Sequence, residues 1–216
     1  MYLSDRDLEF AVRTEQLIVN PAPAEYDTTS IDVHLDRIDR ARVWNTVAFD
    51  EQQRRAGHDL ATLRVGRFDH EAFSRQFYMP VPEQVEGGQQ LVFRGSGSII
   101  VRPRGFFVWQ TKEIVGTPEE DPRLICFING KSSIARTGLL VHITAPTIHA
   151  GWWGNIVLEI SNLGPFTLEL KEGDAIAQIV VAALSSPPKK RKRAKGVPIG
   201  QSDVTGQSGP APTALS

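Results

Sequence analysis

The first residues of the chain carry a pattern of apolar and polar positions that predicts one amphipathic helix. Ser4 is a good N-cap, and Asp7 occupies the capping-box position, where glutamate or glutamine is more usual. An apolar stripe at helical spacing follows, formed by Leu8, Ala11 and Val12. The segment Asn20-Pro-Ala-Pro then interrupts the pattern, so we expect the helix to end before it.

The rest of the body is patterned as short β-strands. Apolar and polar residues alternate over residues 31–35, and from residue 91 onward β-rich runs are separated by Gly, Pro and Asn. Many short strands at this spacing predict a sandwich, jelly roll or barrel, and the missing βαβ rhythm disfavours a Rossmann-type sheet. The segment 40–77 is mixed, with helix permitted at 71–76. The predicted runs are Leu91–Phe93, Ser98–Arg102, Phe106–Thr111, Leu124–Phe127, Leu139–Ile143, Asn155–Ser161, Phe166–Leu170 and Ala175–Val181.

Composition divides the chain into a domain at 1–184 and a tail at 185–216. With 41% hydrophobic and 23% charged residues, the chain has the composition of a globular protein. The tail holds six basic residues and one acid, a charge of +5, so the body carries −6 of the net −1. Because the tail is rich in Pro, Gly and Ser, we expect it to be flexible when alone.

The single cysteine, Cys126, excludes an intrachain disulfide and a cysteine-based zinc site. A reducing, cytoplasmic setting is the simplest interpretation. The charged start of the chain is unlike a signal peptide, and its apolar runs are too short to span a membrane. Zinc-dependent deaminases need a Pro-Cys-x-x-Cys motif, so their mechanism is excluded.

Three segments offer candidate chemistry. Gly130-Lys-Ser-Ser lacks the glycine that a P-loop requires five residues earlier, yet its cation and hydroxyls, with Arg136, suit phosphate. An ordinary polar turn is the alternative. Glu159 lies on a predicted strand and points to the face opposite that of Ile156 and Leu158. Apolar surroundings there should disfavour the charged form of the carboxylate, which suits a general base. A solvent-facing strand glutamate is the alternative there.

The third segment and the tail are less specific. His149-Ala-Gly-Trp152 lies in a predicted turn, where histidine and tryptophan serve packing as readily as ligand binding. The basic run 189–195 has six basic residues in seven and suits a polyanion such as nucleic acid or a triphosphate. A solvated linker explains the same run.

The order of these segments resembles the dCTP deaminases of the dUTPase superfamily. The similar segments span nearly the whole chain and are weakest over 40–89. They are Leu3–Leu8, Ser30–Leu35, the central Gly130-Lys-Ser-Ser-Ile-Ala-Arg136 continuing to Ala145, Ile156–Glu159, Gly173–Gln178 and Gly206–Thr213.

The resemblance implies a mainly β, distorted jelly-roll or barrel subunit of dUTPase-like type, assembled as a homotrimer with active sites between subunits. Domain 1–184 would then bind a deoxycytidine nucleotide, and the tail would close over it. The implied reaction is hydrolysis of dCTP to dUTP and ammonia, without zinc and with Mg²⁺ accompanying the triphosphate.

The same resemblance assigns roles to individual residues. Glu159 would activate the water, with Ser132 and Arg136 holding the water, the leaving ammonia or the glutamate. The implied substrate-binding residues are Lys131, Ser133, Ala145, His149, Trp152, Gln178 and Gln207.

Three departures from the family pattern leave other functions open. His149 stands where the family has an aspartate near the sugar, Lys131 replaces an arginine, and the tail has Asp203 and Val204 where a lysine and a tyrosine are usual. A non-catalytic nucleotide-binding trimer, a dUTP pyrophosphatase and a nucleic-acid binder are the alternatives. The absent aspartate argues against the pyrophosphatase.

Overall fold

The structure is a computed structural model that describes residues 1–189 and Val204. Strands account for 36% of the chain and helices for 19%, which confirms the predicted mainly β class. The helices are α1 (Asp5–Arg13), α2 (Thr46–Arg55), α3 (His70–Phe77) and α4 (Ser132–Ala135). The strands are β1 (Ile18–Asn20), β2 (Ile31–His34), β3 (Arg42–Trp44), β4 (Tyr78–Pro80), β5 (Val92–Arg94), β6 (Ile99–Val101), β7 (Phe106–Gly116), β8 (Leu124–Gly130), β9 (Leu139–Leu140), β10 (Thr147–Ile148), β11 (Trp153–Asn162), β12 (Leu168–Leu170) and β13 (Ala175–Ala183).

Three antiparallel sheets enclose one core. The largest has the order β4-β3-β7-β11-β9, with β1 also paired to β7, and the second has the order β10-β8-β13-β2. A small sheet, β12-β6-β5, completes the set. Side chains from all three sheets and from α1 meet in a single buried cluster that includes Leu8, Ile99, Trp109, Leu158 and Ile179.

The predicted N-terminal helix is confirmed together with its cap. Asp7 Oδ2 accepts hydrogen bonds from the backbone N–H of Ser4 at 3.2 Å and from its hydroxyl at 3.0 Å. Leu8 and Ala11 are buried, as the apolar stripe predicts. The backbone N–H of Leu3 donates to the carbonyl of Val181, so the start of the chain is attached to β13.

The segment 40–89, where the resemblance to the family is weakest, contains a layer of aromatic side chains. Helices α2 and α3 both lie in it, and α3 extends the helix that residues 71–76 permit. Asn45 and Asp69 cap them by accepting hydrogen bonds from backbone N–H groups. Ring contacts join α2, α3 and the strands β3 and β4 through Trp44, Phe49, Phe68, Phe73, Phe77 and Tyr78.

One predicted strand is shorter than expected. The run Leu139–Ile143 is a strand only at Leu139 and Leu140, where it pairs with β11. Val141 is buried, whereas Ile143 is exposed. The chain turns away from the sheet after residue 140, and this turn brings His142 towards β11. No helix among the described residues is long and apolar enough to cross a bilayer.

Gly138 joins the turn after α4 to the loop after β11, and we expect a side chain there to be costly. Its φ is +89°, and an added Cβ would lie 2.3 Å from the backbone of Gly164. Gly138→Ala should therefore lower the free energy of unfolding by about 3 kcal/mol, since a left-handed backbone cost and a backbone clash add. Urea unfolding measures this loss.

Gly57→Ala is the matched control. Gly57 has a φ of +83°, but nothing lies within 4 Å of an added Cβ. Only the backbone cost of about 1–2 kcal/mol should remain. Equal losses in the two variants would contradict the close approach of Gly138 to Gly164.

Candidate active site

Glu159 lies on the outer face of the longest strand pair. In β11 the residues Ile156, Leu158 and Ile160 point into the core, so Glu159 points the other way. This confirms the predicted orientation. Glu159 is directly opposite Val108 on β7, and its side chain keeps 35% of its exposed surface. The carboxylate is thus held by the centre of a sheet while solvent still reaches it.

His142 is the closest charged partner of Glu159. Its Nδ1 lies 2.7 Å from Glu159 Oε2, and its side chain is only 9% exposed. At this distance the imidazolium and the carboxylate form a close ion pair. Such a pair holds the carboxylate and can still be exchanged for another partner.

The two partners shift each other's pKa. Burial acts most strongly on Glu159 and raises its pKa, but the contact with His142, the His142 charge and backbone N–H groups outweigh burial. The net result is a pKa below the ordinary 4.5, so the expectation of a disfavoured charge is wrong. The contact with Glu159 raises the pKa of His142 above 6.5, against the opposite effect of burial. Apolar neighbours alone predicted the wrong sign because the sequence did not reveal the imidazole.

A second group of predicted residues surrounds α4. Lys131 is the N-cap residue, Ser132 and Ser133 begin the helix, and Arg136 follows its last residue. Ser133 also borders a cavity of about 410 Å³, whose wall includes Asp174. The predicted hydroxyls and cations are therefore clustered in one short turn, as a phosphate-binding segment requires.

Asp32 belongs to this second group and was not predicted. Its carboxylate pairs with the ammonium of Lys131, and it lies directly opposite Gln178 on β13. Gln178 Oε1 accepts a hydrogen bond from the Ser30 hydroxyl at 3.4 Å. Asp32 also lines a cavity of about 620 Å³, together with His34.

The two groups come from different sheets of the chain. Glu159 lies on β11 and His142 follows β9 of the same sheet, whereas Lys131 follows β8, and Gln178 and Asp32 lie on β13 and β2 of the second sheet. Within the described residues, the groups that shift the pKa of Glu159 do not include Arg136. We refer to these two groups as the two half-sites.

Of the remaining predicted residues, Ala145 lies beside His142, His149 and Trp152 lie in the turn before β11, and Gln207 lies outside the described chain. Ala145 contacts the His142 imidazole through its backbone. The carbonyl of His149 accepts a hydrogen bond from the backbone N–H of Trp152 at 3.1 Å, and Trp152 packs against the core. Val204 is 2% exposed. Gln207 and residues 190–195 of the basic run lie outside the described residues.

Comparisons with known proteins show the family to which the chain belongs. A family model described as dCTP deaminase-like matches residues 2–184. The chain belongs to this family. It is 31% identical over 218 residues to a Mycobacterium leprae protein named "dCTP deaminase, dUMP-forming", covering 99% of this chain and 95% of that one. It is 29% identical over 203 residues to a Buchnera aphidicola protein named "dCTP deaminase", covering 90% and 92%.

A solved structure supports the fold. The 2'-deoxycytidine 5'-triphosphate deaminase of Agrobacterium tumefaciens superposes with a TM-score of 0.52 at 15% identity, covering 83% of this chain and 47% of that one. This chain thus spans about half the length of that protein. The predicted mainly β fold and the predicted family are confirmed, and the family supports a deaminase-like hydrolase.

Two site residues escaped prediction for different reasons. His142 lies within the central motif, but a single histidine in the apolar run 139–143 is more often structural. The one feature of the sequence that could have indicated a site residue was a polar side chain within an apolar run. Asp32 lies in the alternating strand 31–35, where a polar residue is expected on the solvent face. Only the structure shows that Asp32 on β2 faces the turn at Lys131.

The His142–Glu159 pair predicts a pH-dependent stability. The contribution of His142 to the free energy of unfolding is fully present below pH 6.5 and is lost as the pH rises through the raised pKa of the folded state. The contribution of Glu159 to the free energy of unfolding is fully present above pH 4.5 and is lost as the pH falls through the lowered pKa of the folded state. His142→Gln should therefore lose the most stability between pH 4.5 and 6.5, by about 1 kcal/mol after solvent screening.

Denaturant unfolding across pH 4 to 9, on the order of one pH unit per step, measures this difference. His58→Gln, at an exposed position after α2, is the control and should follow the wild-type profile. A stability loss in His142→Gln that is constant with pH would contradict the ion pair.

Proposed function

We propose that this protein deaminates dCTP by hydrolysis, with Glu159 as the general base. Water adds its oxygen at C4 of cytosine and the 4-amino group leaves, so dCTP and water give dUTP and ammonia. The observation that carries the proposal is the Glu159 carboxylate, ionised through its lowered pKa and presented to solvent from a rigid strand. The names of the M. leprae and B. aphidicola relatives support the substrate.

The proposed steps move two protons in turn through Glu159. The carboxylate takes a proton from water and passes it to N3, which makes C4 electrophilic, and the hydroxide adds to C4. The carboxylate then takes the proton of the new C4 hydroxyl and delivers it to the amine as the C–N bond breaks, which leaves the C4 carbonyl of uracil and ammonia. His142 holds the carboxylate ionised before substrate binds and must release it for these transfers. No zinc ion takes part in these steps.

The second half-site would come from a neighbouring subunit. Ser132 and Arg136 are needed beside Glu159 in this proposal, yet they belong to the other half-site of their own chain. A homotrimer that apposes the two half-sites of adjacent subunits satisfies both observations. Arg136 suits this role because a guanidinium keeps its charge throughout the reaction.

The phosphates would bind around α4. Lys131, Ser133 and Gln178 present donors there, and the cavity beside Asp32 is large enough for a triphosphate chain. Mg²⁺ is held largely by substrate phosphates with one or two carboxylates, and Asp32 fits that requirement. The ion would neutralise phosphate charge when bound. Among the described residues no cluster of three or more ligating side chains holds a metal independently of the nucleotide.

The sugar and base would contact the segment 145–152. In this proposal Ala145 and His149 approach the nucleoside, and Trp152 packs near the deoxyribose, where it crowds out a 2′-hydroxyl. Gln207 would close over the nucleotide from the tail. The division into a domain at 1–184 and a closing tail, and polyanion binding by the basic run, remain predictions. The cytoplasmic setting also remains a prediction. Cys126 is buried in the fold, and burial raises the pKa of its thiol to about 12.

The final product is proposed to be dUMP. The family resemblance implied dUTP, but the M. leprae relative is named as dUMP-forming, which favours a second hydrolysis that releases pyrophosphate. His149, in place of the expected aspartate, is the feature that opposes this step. Pyrophosphate released in equal amount to ammonia would support dUMP, and ammonia without pyrophosphate would leave dUTP as the product.

Glu159→Gln should abolish turnover while the fold remains intact. Removing the base should lower ammonia release from dCTP and Mg²⁺ by at least about 10²-fold, because the amide cannot accept the water proton. Glu51→Gln, at an exposed position on α2, is the control and should keep wild-type rates. Nucleotide binding without ammonia release in the wild type would instead favour the non-catalytic binding trimer.

Mixing two inactive variants tests the shared site. Glu159→Gln and Arg136→Ala should each be inactive as pure trimers. Co-expressed in equal amounts, they should recover activity at about one quarter of the interfaces, where an intact Glu159 meets an intact Arg136. A chain carrying both substitutions cannot recover activity and is the control. No recovery from mixed trimers would contradict a site built from two subunits.

A further inference from the structure

The strand β2 lies at the edge of its sheet and carries Asp32, the partner of Lys131. Among the described strands of that sheet, β2 pairs with β13 alone. The register of this pairing shifts between Ala175 and Ala177, opposite the end of β2 at His34. Such a shift disrupts the hydrogen-bond ladder locally. The end of β2 is therefore weakly attached to its own sheet, and a contact from outside the sheet matters for its position.

Glu113 on β7 makes that outside contact. Its Oε2 accepts a hydrogen bond from the backbone N–H of His34 at 2.8 Å, and its Oε1 lies 2.7 Å from His34 Nδ1. Because a carboxylate only accepts, the ring nitrogen is the donor in the second contact. The next N–H along the chain, that of Leu35, points the other way and donates to the carbonyl of Asp174 at 3.0 Å. The carboxylate therefore takes the place of the strand that an edge lacks.

Glu113 is itself fixed by the pairing of β7 with β11. Its carbonyl accepts a hydrogen bond from the Thr111 hydroxyl at 2.8 Å, and that hydroxyl accepts one from the backbone N–H of Ile156 at 2.9 Å. Thr111 is fully buried, and the Glu113 side chain is only 8% exposed. The carboxylate thus projects from a packed strand pair, which gives β2 a fixed point of attachment.

The contact at His34 is connected to Lys131 through Asp32. Asp32 and His34 share one face of β2 because they are two residues apart, and both line the cavity of about 620 Å³. The Asp32 carboxylate pairs with the Lys131 ammonium. The attachment of β2 at His34 therefore determines where Asp32 lies, and Asp32 determines where the ammonium lies.

We propose that Glu113 is a positioning residue for the half-site that contains Lys131. Its carboxylate fixes the edge of β2 and so places the Lys131 ammonium for the phosphates of the nucleotide. The effect on phosphate binding rests on the proposed function, whereas the attachment of β2 does not. Loss of the carboxylate should weaken phosphate binding through Lys131 and through no other ligand of the phosphates.

A double-mutant cycle with inorganic triphosphate and Mg²⁺ tests the route through Lys131. Glu113→Met removes both acceptor oxygens at similar length and should weaken triphosphate binding, measured by calorimetry, about tenfold. In a Lys131→Met background the same change should weaken binding less than about twofold, because the group that Glu113 positions is already gone. Equal losses in the two backgrounds would reduce Glu113 to a general structural role and overturn the proposal. Unchanged binding in Glu113→Met would overturn it too.

Glu113→Gln is the matched control. Its amide oxygen can accept from the His34 N–H, and its amide nitrogen can donate to His34 Nδ1 in the other tautomer of the ring. Both contacts can therefore be kept, and triphosphate binding should stay within about threefold of the wild type. Losses of equal size in the Gln and Met variants would contradict a role through these two contacts.

Amide hydrogen exchange measures the attachment of β2 without any ligand. Glu113→Met should speed exchange of the His34 N–H at least about tenfold more than that of Leu158, which is buried on β11. An equal rise at both amides would reflect a general loss of stability and would overturn the proposal.

The measurements separate this proposal from the proposed function. If the wild type binds triphosphate but releases no ammonia from dCTP, the deaminase function fails and the binding cycle still decides the role of Glu113. If the wild type does not bind triphosphate, Lys131 is not a phosphate ligand and the positioning role is overturned, whereas hydrogen exchange still shows whether Glu113 fixes β2.

Discussion

The antiparallel pairing of β7 with β11 is the constraint on which the rest of the structure depends. Phe107, Trp109, Leu158 and Ile160 are fully buried on one side of this pair. Burying side chains of this size contributes about 1.5–3 kcal/mol each. A slip of one residue would turn those side chains out and turn Glu159 in, so the packing of the core fixes the direction of the carboxylate. The site is precise because it is the reverse face of the core.

The pairing of β7 with β11 contains a β-bulge, where side chains supply hydrogen-bond partners for the backbone. The register shifts between Asn155 and Val157, which is a β-bulge. Asn155 Nδ2 donates to the carbonyl of Thr111 at 2.9 Å, and the backbone N–H of Ile156 donates to the Thr111 hydroxyl at 2.9 Å. Buried backbone groups freed by the bulge thus keep partners. Bulges are common beside active sites because they re-aim neighbouring side chains, and this one lies four residues before Glu159.

Both half-sites hold their charges in internal pairs. Glu159 faces His142, and Lys131 faces Asp32. These pairs reduce the cost of partly burying charge, and they keep the carboxylate and the ammonium in position without substrate. In the proposed reaction each pair exchanges one partner for a group of the nucleotide or of the protein. The pairing with His142 explains why the pKa of Glu159 is lower than burial alone would make it.

Local sequence determined the elements that obey one simple rule. The capped helix at Ser4 and most strands from residue 91 followed from hydrophobic period and turn residues, and the outward direction of Glu159 followed from strand alternation. The motif order identified the family and the turn at residues 130–136. These properties depend on residues close in the chain.

Only the tertiary structure decided which distant residues meet. The strand predicted over residues 139–143 ends early because the chain leaves the sheet, and this exit carries His142 to Glu159 and reverses the expected pKa shift. Asp32 meets Lys131 across 99 positions of the chain. Charge pairing acts through space with little regard for separation along the chain, so periodicity and motif spacing contain no signal for it.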